Sequence, residues 1–283
     1  MILRTRRRAV EIRRPLIMGI VNLCADSFSG DGIGDCDAAI LHAQTLIADG
    51  ADIIDIGAES AGTGRSAMSG QRESDRLSSF IEKFLRSESA GALLSVNTWR
   101  PEVAATALAV GGDILNDIGA LPTDENAKLC AKHGAALLIM HSVGAPKVPH
   151  IHICHDDVMA ALDVFFTQKI ALAEAAGVPR EAIIVDPGID FAKQRSDNLR
   201  IYRDGAQLRK FGRPILLPIS RKTVIGEVLN IREPRERDAG TIACLVGGMI
   251  RGAAIFRTHN VRAASAARAL ICAIEEMPES PAV

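Results

Sequence analysis

The chain has 283 residues, 48% hydrophobic and 24% charged, with a formal net charge of -1 and only 4% aromatic residues. That length supports one large core. The near-neutral charge and scarce aromatics exclude a polyanion-binding or base-stacking surface, so no nucleic-acid partner is expected, and no apolar stretch reaches the roughly 18 residues that span a bilayer, so no membrane partner is expected.

The chain opens on a basic segment, Arg4 through Arg8 with Arg13 and Arg14, and no signal-type apolar region follows it. Residues 1–14 read as a solvated arm or an edge hairpin. The first apolar run, Leu16–Val21, delivers Asn22 and then a loop with Asp26, Ser27 and a Gly30-Asp31-Gly32 turn. A helical pattern over Asp37–Asp49 leads to Ile53–Ile56, which contains Asp55 and delivers Glu59 and Ser60. Gln71–Arg86 leads to Leu93–Val96, followed by Asn97 and Thr98. Pro101–Val110, with proline suited to a first helical turn, leads to Ile114–Leu115 and then Asn116 and Asp117. Glu125–His133 leads to Ala136–Met140 and His141. Asp156–Ala176, with Asp156 as candidate cap, leads to Ile183–Val185 and the triplet Asp186-Pro187-Gly188. Asn198–Phe211, with Asp197 as candidate cap, leads to Ile215–Leu217 and then Ser220, Arg221 and Lys222. Asp238–Arg251 leads to Ala254–Phe256, which delivers Arg257 and His259 before a last helical pattern, Arg262–Glu276. Residues 277–283, with two prolines, read as a frayed tail.

Eight Ile/Leu/Val-rich runs, each followed by a helical pattern, predict a single (β/α)8 TIM barrel over residues 1–283, its strands covered on both faces. A doubly wound open sheet is the competing architecture, and it lacks its G-x-G-x-x-G fingerprint after the first run. The six cysteines form no C-x-x-C pair, so free thiols in a reducing cytoplasm are expected.

Polar residues follow nearly every run. In a barrel that is the face where sites are assembled. Each also has a plainer reading. Asp186 could cap a turn, Asn116 could satisfy loop backbone, Glu59 could pair with a cation, His259 could sit behind the site, and Asp55 could be structural. His141, His150, His152 and His155 have the look of a metal cluster, but they fall in a Pro-containing segment better read as a lid. Taken together, Arg221, Lys222, Arg257 and His259 suit a leaving phosphate. Asn22 could hold Mg2+, an ion that takes oxygen ligands and keeps most of its waters. Asn97, Asn116 and Asp186 suit the N–H groups of an aminopyrimidinone-type ring.

Ile17-Met18-Gly19-Ile20-Val21-Asn22, Asp26-Ser27-Phe28-Ser29, Asp52 through Ser60, Leu115-Asn116-Asp117-Ile118, Met140-His141, Asp186-Pro187-Gly188-Ile189, Ser220-Arg221-Lys222 and Arg257-Thr258-His259 occur in that order. With them the chain resembles the dihydropteroate synthase family from about Ile17 to Ala263. The resemblance implies condensation of 6-hydroxymethyl-7,8-dihydropterin diphosphate with p-aminobenzoate in folate synthesis. It implies Lys222, Asp186, Arg257 and His259 as catalytic residues. Asn97, Asn116, Met140, Phe191, Ser220, Arg221, Asp26 and Ser60 join them in substrate binding, with Asn22 on Mg2+. Within that set, Asn116, Asp186 and Lys222 hold the pterin, Asn22, Arg257 and His259 the diphosphate, and Ser220 lies near the aminobenzoate. It also implies a homodimer through late helices.

The chain departs from the family pattern in four places. Leu23-Cys24-Ala25 replaces Thr-Pro, and Ser60-Ala61-Gly62-Thr63-Gly64 replaces Ser-Thr-Arg-Pro-Gly, with Arg65 nearby. Asn97 replaces an Asp, and Asp190-Phe191-Ala192-Lys193 replaces Gly-Phe-Gly-Lys. The expectation is a divergent synthase with altered sulfonamide sensitivity. The alternatives are a paralogue with another acceptor or little activity, and a pterin-dependent methyl-transfer module.

Overall fold

A computed structural model describes residues 1–23, 32–59, 67–148 and 153–276. The short strands β1 (Ile2–Arg4) and β2 (Ala9–Glu11) form an antiparallel hairpin. Eight parallel strands follow: β3 (Leu16–Asn22), β4 (Ile53–Gly57), β5 (Leu93–Asn97), β6 (Ile114–Asp117), β7 (Ala136–Met140), β8 (Ile183–Asp186), β9 (Leu216–Pro218) and β10 (Ile255–Thr258). Their order, β8-β7-β6-β5-β4-β3-β10-β9, is closed by a parallel bridge between Val185 and Ile215. This is the (β/α)8 barrel that the eight apolar runs predict. Every strand but β7 runs one or two residues past its apolar run, because barrel pairing carries the ladder beyond the last apolar side chain.

The helices among the described residues are α1 (Cys36–Ala48), α2 (Gly70–Arg86), α3 (Pro101–Val110), α4 (Glu125–His133), α5 (Val158–Ala175), α6 (Arg195–Asp204), α7 (Thr223–Leu229), α8 (Asp238–Ile250) and α9 (Val261–Glu275). Capping chemistry sets their starts. Asp157, not Asp156, caps α5, accepting from the N–H groups of Met159 and Ala160. Asp197 lies at the third position of α6, not before it, and forms a reciprocal capping box with Gln194. The pattern over Asn198–Phe211 divides into α6 and a tighter 3-10 segment, Gly205–Phe211. The sequence gives no sign of α7, whose Thr-Val-Ile start disfavours helix locally. Gly248 on α8 is a packing glycine. A Cβ there would sit 2.7 Å from Leu217 Cδ1 and Phe256 Cε1, so the glycine lets α8 approach the barrel.

Two aspartates at the N-terminal end of the barrel do the same job. Asp52 Oδ2, just before β4, accepts the Ile17 N–H of β3. Asp113 Oδ2, just before β6, accepts the Leu94 N–H of β5. Each is paired with an arginine, Asp52 with Arg268 and Asp113 with Arg7 of the hairpin. Leu3 of the same hairpin is fully buried. Cys36, Cys130, Cys154, Cys244 and Cys272 are free thiols. No helix among the described residues is long and apolar enough to cross a membrane.

Candidate active site

The C-terminal ends of the strands gather the polar residues anticipated from the sequence. At their centre is Asp55, inside β4 and fully buried. Its Oδ1 accepts from Ser95 Oγ at 2.6 Å and its Oδ2 accepts from Arg257 Nε at 2.7 Å. Asn116 Nδ2 donates to both oxygens at 3.2 Å. A carboxylate can only accept here, so the Asn116 amide turns its nitrogen to Asp55 and leaves Oδ1 buried without a protein partner. Asp55 therefore orients two of the expected site residues, Asn116 and Arg257. The sequence offers one signal for it, an acid in the middle of an apolar strand.

Asp186 ends β8 opposite Met140 of β7. Its Oδ1 accepts the Gly188 N–H at 2.7 Å, and its backbone carbonyl accepts the His141 N–H. Burial raises its pKa to about 6, although Gly188, Lys222, Lys193 and Arg257 all oppose the rise. Gly188 is required at this turn, since φ is +67° and a Cβ would lie 2.0 Å from the His141 carbonyl oxygen. Met140 is buried and Phe191 half-buried.

Lys222 donates to the Ile189 carbonyl at 2.8 Å, and its ammonium stands 5.1 Å from the Phe191 ring centroid. Burial lowers its pKa, against the pull of Asp190 and Asp186. Ser220 Oγ accepts the His259 backbone N–H at 3.1 Å and lies 2.7 Å from His259 Nδ1, which joins the β9 and β10 ends. Arg221, at φ +55°, turns its guanidinium onto Asp238 of α8 and gives its N–H to Thr241. Its charge is met by α8, so its clearest structural role is to hold the turn. Arg237, which the sequence did not single out, donates to the carbonyls of Arg221, Lys222, Ile231 and Arg232 and braces the same turn.

Lys193, which the sequence does not single out, lies at the same barrel end. It donates to His141 Nδ1 at 2.9 Å, Phe191 O at 3.0 Å and His141 O at 3.4 Å. Burial holds its pKa near 7, and burial with Lys193 alongside drives His141 down to about 2. His155 Nε2 lies 3.1 Å from the Ala192 carbonyl. No group of three or more His, Cys, Asp or Glu among the described residues could hold a metal.

Asn97 ends β5 in register with Asn116 and packs beside Gly57. Near it, Arg100 bridges Glu59 and Glu73, and Lys147 pairs with Glu59 at 2.5 Å. Burial alone would raise the Glu59 pKa, but bonds from Arg100, Lys147 and the Met68 N–H outweigh it and hold it low. Glu73, more deeply buried, is raised. Asn22 ends β3, level with Gly57 of β4. Asp26, Ser60, Arg65, His150 and His152 lie outside the described residues.

The pterin binding enzyme family model matches residues 18–259. The chain is 35% identical over 255 residues to the dihydropteroate synthase of Escherichia coli (strain K12), covering 90% of this chain and 89% of that protein. Among solved structures it is similar to Yersinia pestis dihydropteroate synthase in a sulfonamide drug complex, at TM-score 0.90 and 33% identity, covering 97% of this chain and 99% of that one. The Xanthomonas albilineans dihydropteroate synthase with 4-aminobenzoic acid gives TM-score 0.88 and 32% identity, covering 98% of this chain and 100% of that one. Its barrel, its strand-end residues and these matches agree, and the chain belongs to the pterin-binding enzyme family, as a divergent member of its dihydropteroate synthase branch.

Proposed function

We propose that the protein condenses 6-hydroxymethyl-7,8-dihydropterin diphosphate with p-aminobenzoate, forming 7,8-dihydropteroate and releasing diphosphate, in folate biosynthesis. The observation that carries this reading is the buried, unpartnered Asn116 Oδ1 on the same barrel end as the buried Asp186 carboxyl. Both are acceptors suited to the N–H edge of an aminopyrimidinone, and the cation Lys222 stands nearby. The proposed roles are Asn116, Asp186 and Lys222 on the pterin, with Phe191, Met140 and Asn97 lining it. Arg257 and His259 meet the diphosphate, Ser220 lies near the aminobenzoate, and Asp26 and Ser60 complete the loops.

The methylene C–O bond breaks and diphosphate leaves with the electron pair. The arylamine nitrogen then bonds to that carbon and loses a proton. Among the described residues the partner of the Arg257 guanidinium is Asp55, through Nε, and that contact orients it for an anion. Catalysis consists of stabilising the leaving charge and aligning the amine. Asn22 would offer Mg2+ a neutral amide oxygen, the hard donor this ion takes, and no carboxylate cluster among the described residues competes for it. Bound there, it would neutralise diphosphate charge.

Residues 1–283 act as a single pterin-binding domain in the cytoplasm on this reading. A homodimer through the late helices is supported by the exposed Ile250, Leu270 and Ile274 on α8 and α9. Altered sulfonamide sensitivity rests on the departures in the first two loops.

The test is diphosphate release from the pterin diphosphate with Mg2+, with and without p-aminobenzoate, and with the products identified by mass. Dihydropteroate formation supports the reading. Release without the conjugate points to another acceptor, and pterin binding without release sinks the synthase assignment. A sulfonamide competing with p-aminobenzoate in the same assay reads the drug response.

A further inference from the structure

The loop after β8 and the turn after β9 are joined more tightly than strand pairing requires. Lys222 reaches back across the gap to the Ile189 carbonyl and over the Phe191 ring. Asp190 sits between those two residues. Its Oδ2 accepts the Thr223 N–H at 2.5 Å and its Oδ1 accepts the Val224 N–H at 3.3 Å. These are the first two N–H groups of α7, donors that no residue within the helix can satisfy. A carboxylate there gains both hydrogen bonds and the positive end of the helix dipole. The residue before α7 is Lys222 itself, which makes no side-chain cap. The cap therefore comes from another loop.

Asp190 is also anchored from behind. Its N–H donates to Asn198 Oδ1 at 2.8 Å, and Asn198 Nδ2 returns a bond to Asp190 Oδ1 at 3.2 Å. Asn198 is buried on α6. The backbone of Asp190 is left-handed, with φ +67°, a region that short polar side chains tolerate. The family pattern has glycine here, and glycine would keep the backbone but supply no carboxylate.

We propose that Asp190 is a positioning residue for Lys222. By tying α6 to the start of α7, it fixes the backbone from which the Lys222 side chain extends over Ile189 and Phe191. The assignment rests on the proposed role of Lys222 in holding the pterin.

The experiment uses the full-length protein and measures pterin diphosphate affinity by calorimetry, KM and kcat for both substrates, and thermal stability. Asp190→Gly keeps the left-handed backbone and deletes only the carboxylate. Thr223→Pro breaks the same contact from the other side. Proline suits the first helical position, and Lys222 already has the extended conformation that proline requires before it (φ -59°, ψ 150°). Each variant is expected to weaken pterin binding about three- to tenfold, the scale of one lost cap, with KM for the pterin substrate rising in parallel. Asp190→Asn, which keeps one acceptor, should recover part of the loss. Lowered melting temperatures with unchanged affinity and KM in both variants would overturn the proposal. If Asp190→Gly does not fold, Thr223→Pro and Asp190→Asn decide by the same readout. Lys222→Ala separates the two levels. If it too leaves affinity unchanged, the site reading fails. If it abolishes binding while the other variants bind normally, only the role of Asp190 falls.

Discussion

Burial holds the Asp186 carboxyl near 6 in the folded protein, against 3.8 for an ordinary aspartate. Between those pH values the folded chain binds more protons than the unfolded one, so this residue's contribution to stability is lost as pH rises from about 4 to about 6. Asp186→Asn removes this pH dependence. The variant should be about 3 kcal/mol more stable than the parent at pH 8 and equal to it near pH 4, read by urea unfolding, while losing pterin affinity. Equal stabilities at both pH values would mean that the carboxyl is not strained. Lys193 acts in the opposite direction over a separate window. Its folded pKa near 7 lies below the ordinary 10.5, so stability grows as pH rises from about 7 toward 10.5. Asn97 offers a second test at this scale. It can accept an N–H but carries no charge toward a developing pterin cation. Asn97→Asp should raise kcat roughly tenfold if the ordinary condensation takes place here. A fall in kcat with the fold intact would mean that the pocket is tuned to a neutral partner.

The strands and most helices were readable because their signals are local. Covered strands need continuous apolar runs, and barrel helices need a half-buried face. Pro101–Val110 and Glu125–His133 coincide with α3 and α4 residue for residue. The failures also have local causes. Helix α7 went unseen because its cap, Asp190, lies more than thirty positions earlier, at |i−j| 33 from Thr223. The start of α5 was misplaced by one residue because Asp156 and Asp157 are equally good caps on paper. In the loop after β8, Asp190 and Ala192 occupy left-handed backbone, at φ +67° and +49°, where the family pattern has glycine. Asp190 gains capping bonds there. Ala192 makes no comparable side-chain gain, so Ala192→Gly should stabilise the protein by about 0.5–1 kcal/mol, measured by thermal unfolding. A loss of stability would mean that entropy gained by the unfolded glycine outweighs the relief of strain.

Across the whole molecule the two barrel ends divide the work. The N-terminal end is a closure. Asp113 has no exposed side-chain surface and is held by Arg7, whose remaining donors meet the Ala90 and Ala92 carbonyls. Arg7→Ala would leave a buried carboxylate without its cation and should cost about 2–3 kcal/mol in urea unfolding, with KM for both substrates unchanged. A change in KM would mean that the hairpin reaches the opposite end through the strands. The C-terminal end carries the proposed site. The sequence by itself determined the (β/α)8 order, which residues stand at the strand ends, and the family, because apolar periodicity and ordered motifs are properties of neighbouring positions. Only the tertiary structure decided which of those residues meet. Asp55 finds Arg257 across 202 positions, Asp190 caps a helix it does not belong to, and Lys193 pairs with His141. Barrel closure brings strands that are far apart in the chain to one face. A side chain's partners are then set by that closure, and no local propensity encodes it.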